Sequence, residues 1–168
     1  MKKVICLILA SVLIPMALNC PFAASWLEQK YGQEWWISPE NDFSYGEFNI
    51  HMSVDNAAKH YPSAPLSDVT SEIAAGDYQR IVTFDTLVLT FVSSGSPFGL
   101  YSIESTDPSL ITPRGLRVGD DVIKVLELYR TPKYIENNVW VFGDGGYEYF
   151  KVTVKCGTVQ KIRVNCVM

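Results

Sequence analysis

The segment Tyr147–Lys155 reads YEYFKVTVK, and after Cys156-Gly157 the chain resumes with VQKIRV, Val159–Val164. Side chains along a strand alternate between faces. Phe150, Val152 and Val154 therefore share one face, and Tyr147, Tyr149, Lys151, Thr153 and Lys155 share the other. On the second run Ile162 and Val164 join the apolar face, which leaves Lys161 and Arg163 with the polar one. Such a pair, joined through a short Gly-containing turn, predicts an antiparallel sheet with one face packed and one in water.

Four further strand-like runs stand upstream: Tyr78–Phe84, Leu87–Ser93, Leu100–Ser105 and Val139–Phe142. Asp85-Thr86, Ser94–Gly99 and Gly143–Gly146 supply the turns. A helical signal precedes each set of three. In Thr112–Pro132, TPRGLRVGDDVIKVLELYRTP, Val122, Val125, Leu126 and Tyr129 recur at i, i+3, i+4 and i+7, one helical face. Asp120 or Asp121 caps that helix, Lys124, Glu127 and Arg130 take its wet side, and Pro132 blocks continuation.

Tyr45–Tyr61, YGEFNIHMSVDNAAKHY, aligns without a gap beneath Pro113–Tyr129, PRGLRVGDDVIKVLELY. Phe48 falls on Leu116, Ile50 on Val118, Val54 on Val122, Ala57 on Val125, Ala58 on Leu126 and Tyr61 on Tyr129; Met52-Ser53 supplies the cap. The expectation is an α+β fold of two tandem repeats, residues 45–106 and 113–165. Each would be a helix and a three-strand meander, and the two would form one twisted sheet of about six strands with helices on one face.

The second half resembles the repeat of the small outer-membrane assembly lipoproteins (SmpA/OmlA or BamE type) and of beta-lactamase-inhibitory protein. The pattern there is a glycine, a capping residue, a valine six residues on, a glycine at eleven and a proline at thirteen. Gly119, Asp120, Val125 and Pro132 stand in register, whereas Arg130 occupies the second glycine position. The first half departs further, with His51, Ala57, Pro62 and Ala64 at the glycine, valine, glycine and proline positions. What the resemblance implies is a protein-binding role, with no catalytic residues to carry over.

Residues 1–25 read as an export signal. Lys2 and Lys3 begin it, and Val4–Ile14 is almost wholly apolar but short for a membrane span. Ala23-Ala24-Ser25 fits cleavage before Trp26, although Ser25–Glu28 also spells a capping box that this cut would remove. Lipidation of Cys20 is a third outcome, and only then would the protein meet a membrane; Asn19 departs from the small residue usual before such a cysteine. The expected location is the periplasm, the cell envelope or the medium. Residues 26–44 form an N-terminal segment ahead of a single domain over 45–168.

Beyond the signal and Cys20, two cysteines remain. Exported proteins usually oxidise such pairs. Cys156 sits in a turn, however, and Cys166 lies ten residues along, roughly 30 Å in extended chain against the ~7 Å a disulfide tolerates. They should not bond to each other within one chain.

Removing Lys2 and Lys3 leaves 12 basic against 18 acidic residues, a net charge of −6. An exported acidic chain is a poor nucleic-acid binder. The charge is uneven: residues 26–113 carry 3 basic and 12 acidic residues, residues 114–168 carry 9 and 6. That split suits contact between the two halves or with a partner, and self-association with another copy of the chain is a further expectation.

Catalytic patterns are sparse. RGLRVGDD has neither a G-K-[ST] ending nor G-x-G-x-x-G, and two aspartates at a helix start repel phosphate. His51 and His60 are nine apart, without zinc-ligand spacing. Asp144-Gly145-Gly146 reads as a hairpin turn rather than a calcium loop. Glu40 with Asp42, or Asp120 with Asp121, are nominal carboxylate pairs for a small hydrolase. The expectation is a non-enzymatic protein-binding module without cofactor or metal; a secreted enzyme inhibitor and a carboxylate-dependent hydrolase are the alternatives. The candidate binding face is Tyr147, Tyr149, Lys151, Lys155, Lys161 and Arg163, with adjacent Trp35 and Trp36 as a second candidate.

Overall fold

The computed structural model describes residue 29 and residues 42–95, 97–143 and 148–166. The signal sequence, Glu40, the Trp35-Trp36 pair, Tyr147 and the Asp144–Gly146 turn lie outside the described residues.

The strands begin with a small pair, β1 (Ser44–Tyr45) and β2 (Phe48–Asn49), which form their own two-stranded sheet. Helix α1 (Val54–Ala58) follows, then β3 (Ser67–Ala74), β4 (Asp77–Thr83), β5 (Leu87–Ser94) and β6 (Gly99–Ser105). Helix α2 (Val122–Tyr129) leads into β7 (Tyr134–Glu136), β8 (Val139–Gly143), β9 (Glu148–Lys155) and β10 (Thr158–Cys166). The last eight strands form one antiparallel sheet in the order β3-β4-β5-β6-β10-β9-β8-β7.

This overturns the expected architecture. Among the described residues the molecule is mostly β, with two short helices, and is not a pair of helix-plus-three-strand repeats. The six apolar runs do fall on β4, β5, β6, β8, β9 and β10, but two further strands, β3 and β7, stand between each helix and its expected meander. β3, SDVTSEIA, is exposed along its whole length, so no buried alternation marks it. β7 is three residues long. The first helix was expected to run to Tyr61 and stops at Ala58. Its sequence buries only Ala57, and Pro62 disfavours helical geometry for the residue before it.

Turn chemistry closes the meanders. Asn137 and Asn138 both take positive φ between β7 and β8, as do Cys156 and Gly157 between β9 and β10. Two consecutive positive-φ residues give a twist matched to antiparallel strands. The two meanders meet where β6 pairs with β10, Ile103 opposite Val164 and Glu104 opposite Arg163.

One face of the sheet carries the core: Leu89, Phe91, Ile103, Ile162, Phe150 and Trp140 are all buried there. Helix α2 lays Val122, Val125, Leu126 and Tyr129 against it, and the Tyr129 ring stacks on Phe150 at 4.3 Å between centroids. Asp121 caps α2 by accepting the Ile123 N–H at 2.7 Å, and Ser53 caps α1 by accepting that of Asn56 at 3.4 Å.

The Thr112–Gly119 stretch serves as a fastener. The Arg114 guanidinium donates to both oxygens of buried Asp42, at 2.6 and 2.7 Å, and to the Leu128 carbonyl at 3.2 Å. The same group lies 5.0 Å from the centre of the Tyr129 ring. Thr112 Oγ1 accepts the Leu116 N–H and the Tyr129 hydroxyl, each at 3.0 Å. A charged fork, an aromatic ring and a hydroxyl thus tie the chain around Asp42 to the last turn of α2.

Candidate protein-binding face

Opposite the core, no helix among the described residues is laid over the sheet. Register decides what that face presents. Lys151 pairs with Arg163 on one side and Val141 on the other, Thr153 with Lys161, and Tyr149 with Asn165. Directly opposed residues of an antiparallel pair point the same way. Tyr149, Lys151, Lys161 and Arg163 are therefore brought together, each half-buried, with exposed Lys155 at the β9–β10 end. Glu136 of β7 shares this face through Val139.

The electrostatics differ from a plain basic patch. Glu104 of β6 accepts from Lys161 Nζ at 3.0 Å, and its other oxygen lies 3.9 Å from Arg163. Arg163 Nε also donates to the Ser102 hydroxyl at 3.1 Å. Lys151 Nζ sits 4.2 Å from the centre of the Tyr149 ring and makes no ion pair among the described residues. Burial raises the pKa of the Tyr149 phenol, against the pull of Arg163, so at neutral pH it presents a hydroxyl rather than a phenolate. Four cations thus stand against Glu104 and Glu136, a net of +2.

Beneath these long side chains lies a buried polar row, Thr90, Ser102 and Asn165. Asn165 is 0% exposed, and neither its amide nitrogen nor its amide oxygen has a hydrogen-bond partner among the described residues. An unmet buried polar group costs about 1–3 kcal/mol. Neither Glu104 nor Asn165 was singled out by sequence. β6 alternates legibly, Ile103 in and Glu104 out, but nothing local says that β6 is the strand beside β10.

The remaining candidates are placed elsewhere. Both oxygens of Asp42 are committed to Arg114. Asp120 accepts from the Arg117 N–H and from Lys124 Nζ, each at 2.8 Å, while Asp121 caps α2. The carboxylates considered for hydrolysis and described here are thus held by structural partners. In the RGLRVGDD loop the amides that would cradle a phosphate already donate within the chain: Gly119 N–H to Val159, Val122 N–H to Gly157. His60 meets the edge of the Phe48 ring, 6.3 Å between centroids, and His51 Nε2 lies 3.9 Å from Cys166 Sγ at the far side of the sheet.

Cys156 and Cys166 are both unbridged. Cys156 is exposed in the turn and Cys166 buried at the other end of β10, so the intervening strand holds them apart. Among the described residues, no helix is long and apolar enough to cross a membrane. Compared with protein-family models, curated proteins and solved structures, the chain matches none of them.

Proposed function

We propose that this protein is an exported, non-catalytic module that binds another protein through the helix-free face of its sheet, around Tyr149, Lys151, Lys161 and Arg163. Export rests on the basic and apolar pattern of residues 1–25. The supporting observation is the composition of that face: cations from two neighbouring strands in excess over Glu104 and Glu136, with a neutral tyrosine among them and the apolar residues of β9 and β10 turned to the opposite side. Long cations held over a ring and a shared carboxylate are partly ordered before any partner arrives, which reduces the entropy lost on docking. The excess positive charge selects an acidic partner surface, and Tyr149 supplies contact area together with a hydroxyl donor.

Site-specific photocrosslinkers test this. One replaces Lys151 on the helix-free face; another replaces the exposed Ile123 on the outer side of α2. In envelope preparations Lys151 should yield a discrete adduct and Ile123 none. The reversal Lys151→Glu should remove binding of that adduct's protein while leaving thermal unfolding nearly unchanged, because Lys151 has no ion pair to lose. Equal adducts from both positions would refute the assignment of this face.

A further inference from the structure

A second surface lies at the far edge of the sheet. β3 is eight residues long, ends the sheet and, among the described residues, pairs only with β4. Every one of its residues is exposed, including Val69 at 57% and Ile73 at 54%. The backbone groups on its outer side meet no other strand among the described residues. Such an edge is a template for another strand, and proteins usually guard it with lysine, proline or charge. Here no lysine or proline interrupts Ser67–Ala74. Its two acids are turned back on their own hairpin: Asp68 accepts from Arg80 at 2.8 and 2.6 Å, and Glu72 accepts the Gly76 N–H at 3.2 Å.

We infer that β3 pairs with β3 of a second copy, joining two eight-stranded sheets edge to edge into a symmetric dimer. Its register can be derived. An antiparallel pair with two-fold symmetry needs an axis normal to the sheet, so each residue opposes one on the same face. Only registers centred on a residue satisfy this. Centring on Thr70 sets Asp68 against Glu72, and centring on Glu72 opposes it to itself; both place like charges together, which is unfavourable. Centring on Val69 leaves Ile73 beyond the overlap. Centring on Ser71 opposes Val69 to Ile73 twice, Thr70 to Glu72 and Asp68 to Ala74, with no acid against an acid. Val69 lies on the helix-free face, as its pairing with Ile81 shows. The bulge between Glu72 and Ala74 falls at Ile73, so in this register each Val69 meets the bulged residue of the other copy. Two Val–Ile contacts then cover the apolar groups that β3 exposes in one chain. The edge is remote from β9 and β10, so this inference stands independently of the binding face proposed above.

Sedimentation velocity over a concentration series tests it. The purified protein should pass from monomer to dimer as concentration rises. Val69→Lys or Ile73→Lys alone should weaken that association by on the order of tenfold or more, a loss of about 1.4 kcal/mol or greater, with thermal unfolding of the dilute protein unchanged. The register is read by mixing. Val69→Glu and Ile73→Lys should each be mainly monomeric alone, yet form a heterodimer together, because only the Ser71-centred register opposes these two positions. A protein that stays monomeric throughout, a dimer indifferent to either lysine, or a mixture that gives no heterodimer would each overturn the proposal.

Discussion

At the β8–β9 end of the sheet, Trp140, Phe142 and Phe150 are buried, and the Tyr129 ring of α2 packs on Phe142 and Phe150. At the β3–β4 end, β3 has no buried residue and β4 buries only Val82. The helices account for the difference. α2 has eight residues and buries four; α1 has five and buries one. A five-residue helix is little more than a single turn and spans about 7.5 Å, so it covers the strands nearest to it and leaves the outer hairpin in water. The well-covered end can draw on burial at about 25 cal/mol per Å2. The outer hairpin relies on ladder hydrogen bonds and the Asp68–Arg80 pair, and its edge strand β3 is exposed along its whole length.

The largest expected effect probes this contrast directly. Phe150→Ala removes a ring stacked on Tyr129 and should cost about 3–5 kcal/mol in chemical denaturation. Val69→Ala should move dilute-protein stability by no more than about 0.5 kcal/mol. Comparable losses at the two sites would mean that the outer hairpin is as firmly packed as the aromatic end.

Next in size is the fastener between Asp42 and Arg114. Replacing Arg114 by Met removes the two-pronged charge partner of a carboxylate that is only 3% exposed, and should cost about 3 kcal/mol. The double variant Asp42→Asn/Arg114→Met should recover part of that loss, because the buried charge is removed as well. A fully additive double-mutant cycle would show that the fork, though short, contributes nothing specific.

Smallest is the acid response of the outer hairpin. The hydrogen bond from Arg80 depresses the Asp68 pKa below its ordinary value. The carboxylate therefore contributes stability above the unfolded-state pKa, about 3.9, and that contribution disappears as pH falls through the lower folded value. Both side chains are about a third exposed, so the contribution should be under about 1 kcal/mol. Asp68→Asn should lower the melting temperature slightly at neutral pH, and the gap from the parent should close on acidification below pH ~3.9. A gap that widens instead would contradict the assignment.

Much of the candidate face was legible in the sequence. Alternation along Tyr149–Lys155 and Lys161–Arg163 assigned each side chain to a side, because the strand's period of two is a local steric property. Cys156-Gly157 was readable as a turn for the same reason, and Ser53 and the Asp120-Asp121 pair as caps, since each acts within three residues of itself. The two-repeat architecture misled because the gap-free alignment of Tyr45–Tyr61 with Pro113–Tyr129 matched polarity without matching helix length. β3 escaped notice because an edge exposed on both sides imposes no hydrophobic pattern.

What the sequence by itself determined, then, is the set of apolar runs, their turns and the face each residue takes, all consequences of backbone sterics over a few positions. Only the tertiary structure decided that β6 lies against β10, that Glu104 consequently stands among Lys161 and Arg163, that Asn165 is sealed beneath them, and that Arg114 reaches Asp42. Those juxtapositions join residues 57 to 72 positions apart. They depend on how the whole sheet closes and which ends its helices are long enough to cover, and no local pattern encodes that.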